Sequence, residues 1–254
     1  MSDTYPILEF DPSPVALIEP RRLLTPIDIP ERCVVCFFQD VINDLSRKGQ
    51  ISEIAHLKSE MGSHPVYRIT GVEPAMALLH PGVGAPLAAG LLEEAIALGC
   101  QKFIACGGAG TLDSSHEVGK LIVPIAAIRD EGTSYHYLPP GREVAPTNLA
   151  LEAIKTTLAN SGVPYELTKT WTTDAIYRET KTKINLRRED GCACVEMEAA
   201  ALFAVARFRN VELAQILYAG DDLSGEFWDS RNWDDRKEIR EELLKVAVRA
   251  CCML

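Results

Sequence analysis

From Cys33 onward, short apolar runs take turns with segments of helical period, and this alternation constrains the fold more than any other feature of the chain. The runs at 33–38, 66–70, 75–79, 102–106, 121–128, 168–172 and 214–218 read as strands, the last as a buried one. Between them, residues 40–60 alternate charge and apolar character with a helix-like period. Residues 87–98 read as a helix stopped by Gly99, and 148–160 as an amphipathic helix ended by Ser161-Gly162. Residues 199–209 and 236–252 complete the helices, and Gly71-Val72-Glu73-Pro74 makes a hairpin-like turn. Each such element must bury an apolar face against another layer, so alternating strands and helices cover a sheet on both sides. The expected fold is α/β: a single domain over residues 33–254, with a central mixed, largely parallel twisted sheet flanked by helices. A chain of 254 residues supports one large domain of this kind and not two roomy ones. Pro6, Pro12, Pro14, Pro20, Pro26 and Pro30 mark residues 1–32 as an extended arm lying on the domain or on a partner subunit.

A net charge of −10 argues against a nucleic-acid partner, which needs basic patches, and leaves a small phosphate or a nucleoside open. No uninterrupted apolar run approaches the roughly 20 residues of a membrane helix, so no membrane partner is expected. The opening Met1 to Pro6 lacks the basic and apolar regions of a signal peptide, so the expected location is cytoplasmic. Among the eight cysteines, Cys33 and Cys36 have the spacing of half a zinc site. They lie in a strand-like run, where residues three apart face opposite sides, and no second pair follows. No metal is expected, and reduced thiols fit the cytoplasm.

Three strand-end junctions and one helix start carry the chemistry. Gly107-Gly108-Ala109-Gly110 follows a strand, and its glycines let backbone N–H groups approach an anion or a flat base. Gly82-Val83-Gly84-Ala85-Pro86 forms a second tight turn before a helix. Glu196-Met197-Glu198 precedes the small apolar run Ala199 to Phe203; taken alone, this is an acidic start to a well-packed helix, favoured by the macrodipole. Asp221, after the strand at 214–218, is a carboxylate at a strand end, where burial and the neighbouring Asp222 raise its pKa; the plain alternative is a turn cap. No G-x-S-x-G elbow is present and no two histidines stand four apart, which leaves serine hydrolysis and a helical metal pair without support.

The run Val195-Glu196-Met197-Glu198-Ala199-Ala200 resembles the ribose-binding signature of the nucleoside phosphorylase family, which includes purine nucleoside and uridine phosphorylases. The order G-x-G-x-P, helix, strand, G-G-A-G, V-E-M-E-A-A, strand ending in Asp is similar to that family from about His80 to Ser224. The resemblance implies that Met197 and Glu198 meet the ribose, with Glu198 bonding the 2′ and 3′ hydroxyls. It implies that Asp221 is the catalytic acid toward N7 of a purine. It places Gly107, Gly108, Ala109, Gly110, Tyr177 and Glu196 around the base or an anion, and Arg236 where an arginine folds toward the catalytic aspartate. It further implies phosphate as co-substrate with no cofactor, and a homo-oligomer, dimer or hexamer, in which a neighbour completes each site. The uridine enzymes' Q-E-R motif is absent, which favours a purine.

The departures from the family concern the phosphate. Its Gly-Asp-Pro loop is replaced by Phe37-Phe38-Gln39-Asp40-Val41, its strand-end arginine by Ala105 and its loop serine by Gly108. A phosphate dianion in a cleft needs charge-assisted donors. Gln39 and Asp40 therefore mark a possible phosphate or water site, with Lys58 or Arg68 as cations a neighbour could bring. The expected activity is phosphorolytic cleavage of a purine ribonucleoside. The alternatives are hydrolysis, with Asp40 activating water, and nucleoside binding without turnover.

Overall fold

The structure is a computed structural model that describes residues 5–254; the first four residues of the proposed arm, and most of the stretch weighed as a signal peptide, lie outside the described residues. The arm begins with a 3₁₀ turn at Pro6–Leu8 and carries the one-turn helix α1 (Pro20–Leu23). Strand β1 (Arg32–Cys36) leads into α2 (Gln39–Arg47), and β2 (Ile51–Ser59), β3 (Gly62–Ile69) and β4 (Met76–Leu79) follow. Helix α3 (Ala85–Leu98) then precedes β5 (Lys102–Thr111), β6 (Leu121–Asp130) and the two-residue β7 (Glu143–Val144). Helix α4 (Asn148–Ser161), β8 (Tyr165–Thr173), α5 (Lys181–Glu189) and β9 (Cys192–Glu196) come next. The chain closes with α6 (Ala199–Arg209), β10 (Glu212–Asp222) and α7 (Lys237–Cys252).

The expected mixed sheet with flanking helices is present. Its order is β2-β3-β4-β1-β5-β10-β6-β8-β9, and β9 returns to pair with β5. Strands β5, β10, β6, β8 and β9 thus close on themselves, and β1, β4, β3 and β2 extend from β5 as an open wing. Parallel pairings join β1 to β4 and β5, β10 to β5, and β8 to β6 and β9; the remaining pairings are antiparallel.

Strand alternation divides the core. On β1, Cys33 and Val35 join the layer under α3 and α6, whereas Val34 and Cys36 join the layer under α2, α4 and α7. Cys33 and Cys36 therefore face opposite sides of the sheet. Arg209 at the end of α6 donates to Glu93 of α3 at 2.7 Å and lies 3.8 Å from Glu19 of the arm, fixing the arm to these two helices.

Two expectations need correction. The helical period over 40–60 holds only as far as Arg47. Gly49, at φ +66°, turns the chain into β2, which pairs with β3 from Ile51↔Ile69 to Ser59↔Gly62. A bulge between Glu53 and Ala55 shifts the phase of the alternation, so its apolar spacing imitates a helix. The glycine segment 107–110 is not a loop but the second half of β5. Strand β9 and helix α5 lie outside the elements expected from sequence: the first is short and rich in cysteine and alanine, the second largely polar.

Candidate active site

The site lies where β5 changes partners. Strand β1 accompanies β5 as far as Cys36↔Cys106 and then departs, and β9 joins only at Gly110↔Val195. Gly107 to Ala109 keep β10 on one side and have no strand on the other. Gly108 is exposed in an otherwise buried stretch of strand, which marks the opening. At Gly110 a Cβ would collide with Leu223, so glycine is what lets the segment after β10 pack on β5, and Asp221 Oδ1 would stand 3.4 Å from that Cβ.

Two helix N-termini converge on this opening. Gly84 caps α3, and its backbone N–H donates to Glu198 Oε1 at 2.6 Å; Glu198 itself occupies the cap position of α6. Gly82, at φ +78°, carries the loop between β4 and α3, and a side chain there would strike Leu87. Its N–H donates to His80 Nδ1 at 3.0 Å, so the other ring nitrogen, 3.2 Å from the Phe37 carbonyl, carries the proton. Burial lowers the pKa of this imidazole, which stays neutral and braces the β4 exit against the β1 exit.

The two glutamates of the motif have different work. Glu196 accepts the N–H groups of Glu198 and Ala199 at 2.7 and 2.6 Å with Oε2, and the hydroxyls of Thr172 and Thr170 at 2.6 and 3.3 Å with Oε1. Both oxygens are spent on holding the start of α6, the acidic helix start that the residues alone suggested. Glu196→Ala is expected to cost about 2–4 kcal/mol, because four donors lose a buried acceptor; a lowered urea midpoint would report it, and an unchanged midpoint would contradict it. Glu198 is buried and accepts the Gly84 N–H with Oε1. Burial first, then the charge of Glu196, push its pKa up to about 8, against the opposing backbone N–H groups of Gly84 and Met197. Met197 between them is half-buried.

Asp221 lies near the end of β10, beside Gly110. Its Oδ2 accepts the indole N–H of Trp228 at 2.7 Å, and burial raises its pKa. Glu179, half-buried at the end of the 3₁₀ turn Ile176–Arg178, is pushed to about 7 by burial and then by the charge of Asp221. Neither Trp228 nor Glu179 stood out in the sequence, because an isolated Trp in a polar loop and a Glu beside Arg178 carry no spacing signal.

Other residues fall elsewhere. Tyr177 points outward and is 94% exposed, since the 3₁₀ turn directs its ring away from the sheet. Gln39 is exposed and donates to Asn43 at 2.9 Å. Asp40 pairs with Arg240 of α7 at 3.2 Å, and its Oδ1 is buried without a partner. Arg240 also donates to the Trp233 carbonyl at 2.9 Å and lies 3.4 Å from the Tyr218 hydroxyl, beneath Gly108. Arg236 does not bond Asp221 but donates to the Arg231 carbonyl. Arg68 donates to the Asp28 carbonyl of the arm at 3.2 Å, and Lys58 is exposed. Among the described residues, no helix is long and apolar enough to cross a membrane.

Known proteins resemble this chain. A guanosine phosphorylase of Halorubrum lacusprofundi is 23% identical over 91% of this chain and 95% of its own length. A uridine phosphorylase of Thermococcus kodakarensis is 29% identical over 64% of this chain and 65% of its own. Among solved structures, the AMP nucleosidase of Bacteroides thetaiotaomicron superposes with a TM-score of 0.72 at 23% identity, covering 90% of each chain. The purine nucleoside phosphorylase of Toxoplasma gondii gives 0.74 at 18% identity, covering 89% of this chain and 91% of that one. These two share the fold. The sequence pattern of the phosphorylase superfamily matches residues 31–252, nearly the whole chain, and the protein therefore belongs to that superfamily.

Proposed function

We propose that the protein cleaves the N-glycosidic bond of a purine ribonucleoside, with phosphate as the attacking group. The observation that carries this reading is the pair of buried carboxyl groups beside β5: Glu198, held through Oε1 by the Gly84 N–H at the start of α3, and Asp221, lying against Gly110. Glu198 would accept the 2′ and 3′ hydroxyls, with Met197 against the sugar, and so hold the ribose in reacting orientation. As C1′ takes on oxocarbenium character, Asp221 would give its proton to N7 of the leaving base. Burial raises its pKa, which favours the protonated form that this role requires. Gly108, exposed between buried neighbours, gives base and phosphate a stretch of bare backbone to lie against. No cofactor is invoked.

Phosphate as nucleophile draws support from the guanosine phosphorylase, which aligns over nearly the full chain. Hydrolysis is the second reading, favoured by one observation: at the exit of β1, Arg240 holds Asp40 by one oxygen while the other has no partner. An arginine already neutralised by a carboxylate attracts a phosphate dianion weakly, and Asp40 is a carboxylate of the kind that activates water. Inosine, guanosine, adenosine and uridine, each incubated with and without phosphate and resolved by chromatography, separate the readings. Free base and ribose 1-phosphate only when phosphate is present would support phosphorolysis. Free ribose in both conditions would establish hydrolysis, and binding without cleavage would leave a nucleoside-binding role.

We also propose that the chain works as a homo-oligomer. Leu17 is fully exposed, and Tyr5, Ile18, Leu23, Ile176 and Tyr177 expose at least half their surface. Apolar side chains in such number on an arm and an adjoining loop fit burial against a second copy. Sedimentation velocity should give a dimer or a larger assembly; a monomer at micromolar concentration would contradict this.

A further inference from the structure

The loop after β10 is anchored at its root and carries its aromatic residues outward. Asp222 and Asp229 exchange backbone hydrogen bonds at 2.8 and 3.0 Å. Arg231 closes the same root, pairing with Asp222 Oδ2 at 2.5 Å and donating to the His116 carbonyl at 2.6 Å. Leu223 N–H donates to the Thr111 carbonyl at 2.9 Å, which ties the outgoing strand to the end of β5. Trp228 is the neighbour of Asp229 in this root, so its backbone is held although the side chain is largely exposed. That exposed indole has no hydrophobic reason to lie where it does. Its N–H reaches Asp221 Oδ2 at 2.7 Å, a bond that spans the loop from one side of the root to the other.

Resting on the reading of Asp221 as the general acid, we propose that Trp228 is its positioning residue: the indole holds Oδ2 and leaves Oδ1, the oxygen beside Gly110, to carry and deliver the proton. An indole N–H is only a donor. It cannot receive a proton from Oδ2, so a neutral Asp221 bonded in this way bears its hydrogen on Oδ1. Oδ1 lies against Gly110, where β9 joins β5, next to the stretch Gly107 to Ala109 that has no strand partner on that side and where a base would enter. During cleavage an oxygen of phosphate bonds C1′ as the C1′–N9 bond breaks, and the electron pair of the broken bond stays with the purine. The proton passes from Oδ1 to N7, and Asp221 is left as a carboxylate. The indole N–H then bonds an anion, a stronger interaction than its bond to the neutral acid, so the donor also favours proton transfer. The other charged groups around Asp221 are Asp222, neutralised by Arg231, and Glu179, whose charge opposes ionisation. The neutral donors are the Trp228 indole and, after it, the backbone N–H of Asp221 itself.

The test compares two substrates in the presence of phosphate: inosine, whose base leaves best when protonated, and 4-nitrophenyl β-D-ribofuranoside, whose leaving group departs without a proton. Trp228→Phe keeps the ring and removes the donor, and the exposed position makes misfolding a minor concern that an unchanged melting temperature verifies. Expected with inosine are a loss of about tenfold in kcat, a nearly constant KM, and a shift of the alkaline limb of the pH profile upward by about one unit. The aryl riboside should be cleaved at the wild-type rate. Equal losses on both substrates would reduce Trp228 to a structural role, and no loss on inosine would remove it from the mechanism. Asp221→Asn run alongside distinguishes the underlying reading: it should lose inosine cleavage and keep the aryl riboside. If Asp221→Asn affects both substrates alike, or the wild type cleaves neither, the acid assignment itself fails. If Asp221→Asn is selective and Trp228→Phe is not, only the positioning role fails.

Discussion

Replacing Glu198 by glutamine is expected to separate stability from function. The amide oxygen can still accept the Gly84 N–H, but the variant loses the acceptor that donation from the ribose hydroxyls draws into its anionic form on binding. Hydrogen bonds to a charged group contribute about 1.5–3 kcal/mol each, so kcat/KM should fall by at least roughly a hundredfold. The same substitution should stabilise the empty protein at high pH. Glu198 titrates near 8 in the folded chain against an ordinary value of 4.5. Between those values the native state keeps a proton that the unfolded chain has released, so stability falls as pH rises through this window. Above 8 the cost of the buried anion is fully present, and below 4.5 it vanishes. Melting temperatures should therefore favour Glu198→Gln at pH 9 and coincide with the wild type near pH 4. A wild type that is more stable than the variant at pH 9 would contradict the burial account.

Asp221→Asn is expected to lower kcat toward inosine by about 10²–10³ with KM changed only a few-fold, the usual scale for loss of a general acid. The shape of the side chain is kept, and the Trp228 N–H still has an oxygen to bond. The pH profile offers a second readout. Burial raises the pKa of Asp221, and the proton it holds is the one delivered, so wild-type turnover should decline on the alkaline side as that proton is lost. The variant should lack this limb. A parallel loss of binding and turnover would place Asp221 in substrate recognition instead of proton transfer.

The sheet and its flanking helices were legible because buried strands such as Ala214 to Tyr218 and small-residue helices such as α6 leave strong periodic marks. Residues 51–59 were misread because a β-bulge breaks the two-residue period at Glu53 to Ala55. The glycine segment was read as a loop because glycine lacks any strand signal; its extended conformation depends on β10 running alongside. In the motif, the resemblance singled out Glu198, but the division of labour with Glu196 needed coordinates. Glu196 is bonded to Thr170 and Thr172 of β8, residues 26 and 24 positions away, and no local pattern announces such contacts. Asp40 and Arg240 meet across 200 residues, and Trp228 meets Asp221 through a loop whose root is a long-range backbone pairing. Sequence spacing encodes neighbours on one element, and these groups are neighbours across several.

Release of hypoxanthine from inosine in the presence of phosphate, followed by chromatography for the wild type and Glu198→Gln side by side, tests the central assignment most directly. The wild type should release the base, and the variant should retain no more than about a hundredth of that rate. Intact inosine with the wild type, or equal rates for the two proteins, would contradict the cleft at β5 as the place where the glycosidic bond is broken.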